Sequence, residues 1–280
     1  MKIQKLLLLA AIILAASCQK EEEVTNTSES SSIQDSKVSK EIIEKIESLN
    51  FNSEGVEKVE LQLPGGEKKV SYLIEGDITL DAEQLNNMKA GDVTDKQYRT
   101  YSLVYSPRVI QVVGWTGLGS GQNLTDKQQQ ALENAVENYN ALDLGLTFEL
   151  SFTNDQSQAD ILIFQVPDGS VGGSAGFPTG GDPYPFVQIY SGMEQYSLEV
   201  NTHVMTHEIG HTLGLRHTDW FTRESCGRPS FGELANPTGA VHIPGTPFRL
   251  DPNSIMLSCF STSEDGEFGE YDVVALEYLY

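Results

Sequence analysis

The sequence predicts an α+β fold, and three observations carry that prediction. Residues 198–213 read as a helix with Val200, Val204, Ile209 and Leu213 among its apolar positions, and this helix holds closely spaced histidines. Short apolar or alternating runs between 109 and 190 read as strands, interrupted by one helical stretch. Residues 271–280 carry Val273, Val274, Leu276 and Leu279 as a closing apolar segment. With 280 residues there is room for one domain of usual size and a smaller module before it.

Residues 1–17 read as a signal peptide. Lys2 and Lys5 give a positive start, residues 6–16 are uncharged and apolar, and Ala15, Ala16 and Ser17 precede Cys18. That apolar run of 11 residues is too short to span a bilayer, which takes about 20. A plain cleaved secretory signal explains most of the pattern. Cys18 directly after the small residues resembles a bacterial lipoprotein box, in which the cysteine is acylated and becomes the first mature residue. The expectation is an exported protein, lipid-anchored in the bacterial outer membrane. Residues 18–40 are rich in Ser, Glu, Thr and Lys and read as a disordered tether. Gln19-Lys20-Glu21-Glu22-Glu23 resembles the export signal of Bacteroidota surface lipoproteins, which would face the protein outward, although a solvated linker explains the same charges.

Residues 41–105 read as a small N-terminal module. Ile42, Ile43, Ile46 and Leu49 recur at helical spacing; Val59-Glu60-Leu61-Gln62-Leu63 alternates like a strand; Pro64-Gly65-Gly66 turns the chain and residues 70–74 return. Residues 106–280 read as the main domain. A first strand covers 109–115, a helix capped at Thr125 runs through Ala131, Leu132, Ala135, Val136 and Tyr139, a second strand covers 146–152, and Ile161-Leu162-Ile163-Phe164 is a buried third. The glycine-rich residues 169–181 form a connector without P-loop spacing, leading to Phe186-Val187-Gln188-Ile189-Tyr190.

The chemistry concentrates in His207-Glu208-Ile209-Gly210-His211-Thr212-Leu213-Gly214-Leu215-Arg216-His217. The chain has 5 histidines, and four of them lie between 203 and 217. On a helix, His207 and His211 project from one face and can hold one ion, while Glu208 can reach a water beside it. A catalytic zinc takes three protein ligands and leaves a fourth position open. Gly214 can end the helix with positive φ, after which His217 can swing back as the third ligand. His203, one turn earlier, is expected to support the site from beside it or to pack in the core, and His242 to lie at the surface or the cleft rim.

His207-Glu-X-X-His211-X-X-Gly214-X-X-His217 resembles the elongated zinc motif of the metzincin metalloproteases, and Ser254-Ile255-Met256 resembles their methionine turn. The resemblance implies a metzincin-like zincin domain: a twisted mixed sheet, an active-site helix, Met256 as an apolar floor and a closing C-terminal helix. Phe186–Tyr190 would then be the edge strand that pairs with substrate. Motif order, tether and terminal helix are similar to the bacterial dual-action matrix metalloprotease-like peptidase family, over most of residues 70–280. That similarity implies a zinc-dependent endopeptidase acting on extracellular proteins, with Zn2+ on His207, His211 and His217 and Glu208 as general base. Ile74-Glu75-Gly76-Asp77-Ile78 resembles the Phe-X-Gly-Asp stretch of astacin propeptides, whose aspartate coordinates zinc. That makes residues 41–105 a pro-module, Asp77 a latency switch and Arg99 a plausible activation region, although a β-turn at Gly76-Asp77 explains the pair almost as well. Astacins place a tyrosine after the methionine turn; Leu257-Ser258 stands here, so no tyrosine role carries over.

Charge narrows the partners. From Ser106 onward there are 6 Lys+Arg against 22 Asp+Glu, 6 − 22 = −16, which disfavours nucleic acid and leaves the lipid anchor as the sole membrane contact. The acidity serves solubility or Ca2+ sites, and no EF-hand loop decides between them. Protein or peptide substrate is the expected partner, and the chain is expected to act as a monomer. Cys226 and Cys259 are expected to be bridged in an exported protein, which would add about 3 to 4 kcal/mol. Two other classes share these residues: a binding lipoprotein with a structural zinc helix, and a zinc hydrolase of non-peptide substrates.

Overall fold

Ser39 Oγ accepts the Ile42 N–H and opens α1 (Lys40–Ser48), the first element of the computed structural model. The structure describes residues 37–49, 51–88, 99–117, 121–220, 222–227, 243–247 and 250–280, all within the compact unit Ser36–Tyr280. The expected signal peptide, Cys18 and most of the tether lie outside the described residues, as does His242. After α1, the strands β1 (Glu57–Gln62), β2 (Lys68–Ile74) and β3 (Ile78–Leu80) form an antiparallel sheet in that order. Asp81 then caps α2 (Ala82–Asn87) through a capping box with Gln84. Ile46, Leu49, Ile74, Ile78, Leu80 and Leu85 give these elements a core, and Phe177 from the main domain inserts into it against Phe51, ring centroids 5.9 Å apart.

The main domain is built on a five-stranded sheet. Its strands are β4 (Arg108–Trp115), β5 (Leu146–Thr153), β6 (Ile161–Val166), β7 (Gly173–Ser174) and β8 (Phe186–Tyr190), in the order β5-β4-β6-β8-β7. All neighbours are parallel except β7, which runs antiparallel to β8. Between β4 and β5, Thr125 caps α3 (Asp126–Asn140), which packs with α4 (Leu198–Leu213) against one sheet face. Side chains alternate across a strand, so Ile161 and Ile163 join the helices while Leu162 and Phe164 face the other way. There they meet Leu61 and Leu63 of the small module together with Val113. Burial on both faces is why this stretch reads as an unbroken apolar run. The C-terminal α5 (Glu270–Leu279) closes the fold beside the helices.

One expectation fails. Phe186–Tyr190 is not an edge strand; it is flanked by β6 and β7, and the edge on this side is β7. Gly173 and Ser174 carry no apolar pattern, and a strand of two residues is too short to show a side-chain periodicity.

Candidate metal centre

The centre is built by one helix and its termination. Ser197 Oγ accepts the Val200 N–H at the start of α4, and Gly214, at φ 109°, ends it. The helical repeat stacks His207 and His211 with ring centroids 4.6 Å apart. Past Gly214 the chain reverses, the Leu215 N–H donates to Gly210 O at 3.0 Å, and His217 arrives 4.9 Å from His211 and 5.3 Å from His207, again between centroids.

Each ring is held through Nδ1. His207 Nδ1 pairs with Ile255 O at 2.8 Å, His211 Nδ1 with Leu215 O at 2.8 Å and His217 Nδ1 with Glu75 Oε2 at 3.0 Å. Those contacts set the tautomer and leave three Nε2 atoms for the centre. Together with a carboxylate oxygen of Asp77, one ligand atom from each histidine lies within 4.8 Å of every other. His211 Nε2 and Asp77 Oδ1 are buried with no hydrogen-bond partner among the described residues. Buried polar atoms left this way are costly unless something not made of protein satisfies them, and three imidazoles plus one oxygen donor suit a tetrahedral Zn2+.

Asp77 belongs to the β2–β3 hairpin turn. Its Oδ2 lies 2.8 Å from His217 Nε2 and 3.6 Å from His207 Nε2. The turn is stitched to the chain just after β7: the Ala175 N–H donates to Asp77 O at 2.9 Å and the Thr79 N–H to Ala175 O at 2.7 Å. The turn and the carboxylate of the four-donor cluster are therefore the same feature. Glu75, in the left-handed region at φ 57°, occupies the turn as well. Its carboxylate accepts the Asn52 N–H at 3.0 Å and lies 3.6 Å from an Arg216 nitrogen, and its carbonyl accepts Arg223 Nη2 at 2.9 Å. Arg216, 1% exposed, lies over the Phe51 ring at 4.1 Å.

The electrostatics follow from this crowding. Burial opposes a charged His217, yet Asp77 and Glu75 on either side outweigh it and push its pKa up to about 9. Burial likewise raises Asp77, but His217 and His207 more than offset it and hold the carboxyl well below its usual range. His211 is held far below its ordinary value, first by burial and then by its two histidine neighbours. Burial, followed by the charge of Asp77, pushes Glu208 well above the usual carboxylate range.

Glu208, 2% exposed, keeps Oε2 without a hydrogen-bond partner among the described residues and lines the cleft beside His207. Gly173 makes room for it: a Cβ there would sit 2.8 Å from Glu208 Cγ. Met256 packs under the helix, where a Cβ on Gly210 would meet its Sδ at 2.7 Å. Asp272 of α5 holds the methionine turn, its carboxylate accepting the Ile255 N–H at 2.7 Å, the Ser254 hydroxyl at 2.7 Å and the Gly269 N–H at 3.0 Å. Asp219 ties the next two segments together by accepting Ser258 N–H at 2.8 Å and both the N–H and hydroxyl of Ser225, at 3.0 and 2.6 Å. Cys226 and Cys259 are joined by a disulfide across the same segments. Arg99 pairs its backbone with Leu215, and His203 stays out of the four-donor cluster, its pKa lowered to about 4 by burial and then by His207.

Four contributors escape the sequence reading: Glu75, Arg216, Asp219 and Asp272. Glu75 stands two residues from Asp77 and Arg216 inside the histidine motif, but nothing in local spacing shows that they meet.

No curated protein matches the chain. A structure of myroilysin aligns with a TM-score of 0.40 at 12% identity, covering 64% of this chain and 82% of that one. A second structure of myroilysin gives 0.37 at 13%, covering 70% and 95%. The family described as dual-action HEIGH metallo-peptidase matches residues 72–280, and His207-Glu208-Ile209-Gly210-His211 spells that signature in full. The protein is therefore a metallopeptidase, a metal-dependent hydrolase, and the chain belongs to the dual-action HEIGH metallo-peptidase family.

Proposed function

We propose that the protein is a zinc-dependent endopeptidase made in latent form, with His207, His211 and His217 as metal ligands, Glu208 as general base and Asp77 as the latch. One observation carries the reading: three Nε2 atoms converge with their Nδ1 atoms already engaged, and Glu208 beside them keeps an oxygen without a partner among the described residues. Zinc on these ligands supplies a Lewis acid that polarises a peptide carbonyl and acidifies water.

The chain's own groups do the rest. Ile255 O, Leu215 O and Glu75 orient the three imidazoles. Glu208 Oε2 accepts a proton from the attacking water and returns one to the departing amine. Met256 and the absence of a side chain at Gly210 let the helix sit directly on the methionine turn. Asp77 supports latency because its carboxylate already lies against the three histidine rings, where it would exclude the water that a zinc held there needs. The boundaries of the reading are a signal peptide at 1–17, a tether at 18–40, a pro-module at 41–105 and a catalytic domain at 106–280. Cys18 anchors the chain in the outer membrane, facing outward toward extracellular protein substrates, on the strength of the lipoprotein-like pattern before it. Incorporation of labelled fatty acid that persists in Cys18→Ser would overturn the anchor.

The deciding experiment compares zinc content with hydrolysis of a mixed peptide library. Glu208→Ala is expected to keep one zinc per chain and lose about 100-fold or more in rate; undiminished activity removes Glu208 from the mechanism. Asp77→Ala is expected to be active without processing, and a variant as silent as the parent chain defeats the latch.

A further inference from the structure

Beside Glu208 the cleft opens into a cavity of about 280 Å3 between α4 and the segment that follows the methionine turn. Val204, Leu257 and Phe260 are apolar residues of its lining, which also takes in the charged groups of Glu75, Asp77, Glu208 and Arg223. His203 lines it too, although the metal centre makes no use of this residue. The ring is 4% exposed, its Nδ1 faces Glu264 Oε2 at 3.6 Å, and its Nε2 is buried with no partner among the described residues. The carboxylate favours the ring proton on Nδ1, which leaves Nε2 as an acceptor. An acceptor buried without a donor is costly, and a ligand that brings a donor relieves it.

We propose that this cavity selects a tyrosine side chain of the peptide substrate, its ring against Val204, Leu257 and Phe260 and its phenol O–H donating to His203 Nε2. An aromatic body with one donor at the tip matches apolar residues beside a buried acceptor. Phenylalanine fills the same walls but leaves Nε2 unsatisfied, and sites built to hydrogen-bond a hydroxyl discriminate strongly against the analogue that lacks it.

The inference rests on the endopeptidase reading, and the test separates the two. Peptide pairs identical except for Tyr or Phe at successive positions are offered to the zinc-loaded full chain carrying Asp77→Ala and to the parent chain after proteolytic activation. At one position kcat/KM is expected to favour Tyr by about tenfold or more. In His203→Leu that ratio falls to about one, and His203→Gln, which retains an acceptor, restores part of it. Equal cleavage of Tyr and Phe peptides, or a preference untouched in His203→Leu, overturns the subsite while leaving the peptidase intact. If His203→Leu does not fold, the ratio in His203→Gln against the parent decides. Absence of any chelator-sensitive cleavage overturns the endopeptidase reading, and the subsite with it.

Discussion

At the scale of single residues, Glu75 links the N-terminal module to the metal centre. It holds His217 through Nδ1, neutralises the buried Arg216 and takes a left-handed backbone conformation to do both. Breaking one partner of a buried ion pair leaves an uncompensated charge. Glu75→Gln keeps the shape but not the charge, and is expected to cost about 3 kcal/mol in chemical unfolding of the zinc-loaded chain. An unchanged midpoint would mean that Arg216 is stabilised by other neighbours. His207, His211 and Glu208 were legible as a group because their relation is local: a helix puts residues four apart on one face whatever surrounds it. Glu75 was not, since its partner His217 lies 142 residues away.

At the scale of elements, α5 acts on the centre without touching it. Asp272 accepts from Ile255 N–H, and Ile255 O in turn meets His207 Nδ1, so the closing helix reaches the His207 ring through the backbone of one residue. Burial holds the Asp272 pKa up at about 6, against 3.8 ordinarily, even with three donors opposing it. A raised carboxyl binds its proton more tightly in the fold than in the unfolded chain. Its contribution to stability is therefore fullest below about pH 4 and declines as pH rises through about 6, by about 3 kcal/mol for a shift of this size. Asp272→Asn is expected to flatten that part of the stability curve, measured by denaturant unfolding between pH 4 and 7. A variant with the parent's slope would place the pH dependence elsewhere. Asp219 and the Cys226–Cys259 bridge make a second tie of this kind, joining the loop after His217 to the segment after Met256.

For the whole molecule, the question is what holds the N-terminal module in place. Phe177 enters its core, and Leu61 and Leu63 lie on the outer face of the main sheet with Val113, Leu162 and Phe164. Each such side chain contributes about 1.5 to 3 kcal/mol when fully buried, so a single cut before Arg99 leaves the packing untouched. The nicked fragment is expected to co-elute with the catalytic part in gel filtration, with activity appearing only when the fragment is degraded or stripped by denaturant. Full activity with the fragment still bound would show that the packed module does not hold the site shut.

The sequence by itself determined the α+β class, the histidine motif, the caps at Thr125 and Gly214 and the burial of Ile161 to Phe164, because each depends on interactions spanning a few residues. Only the tertiary structure decided that Gly173–Ser174 is the edge, that Leu61 and Leu63 cover the sheet, and that Glu75 and Asp272 support the centre. Those are partnerships between distant segments. Backbone pairing and side-chain charge leave no periodic trace of their partner in the chain, so they become visible only once the chain has folded.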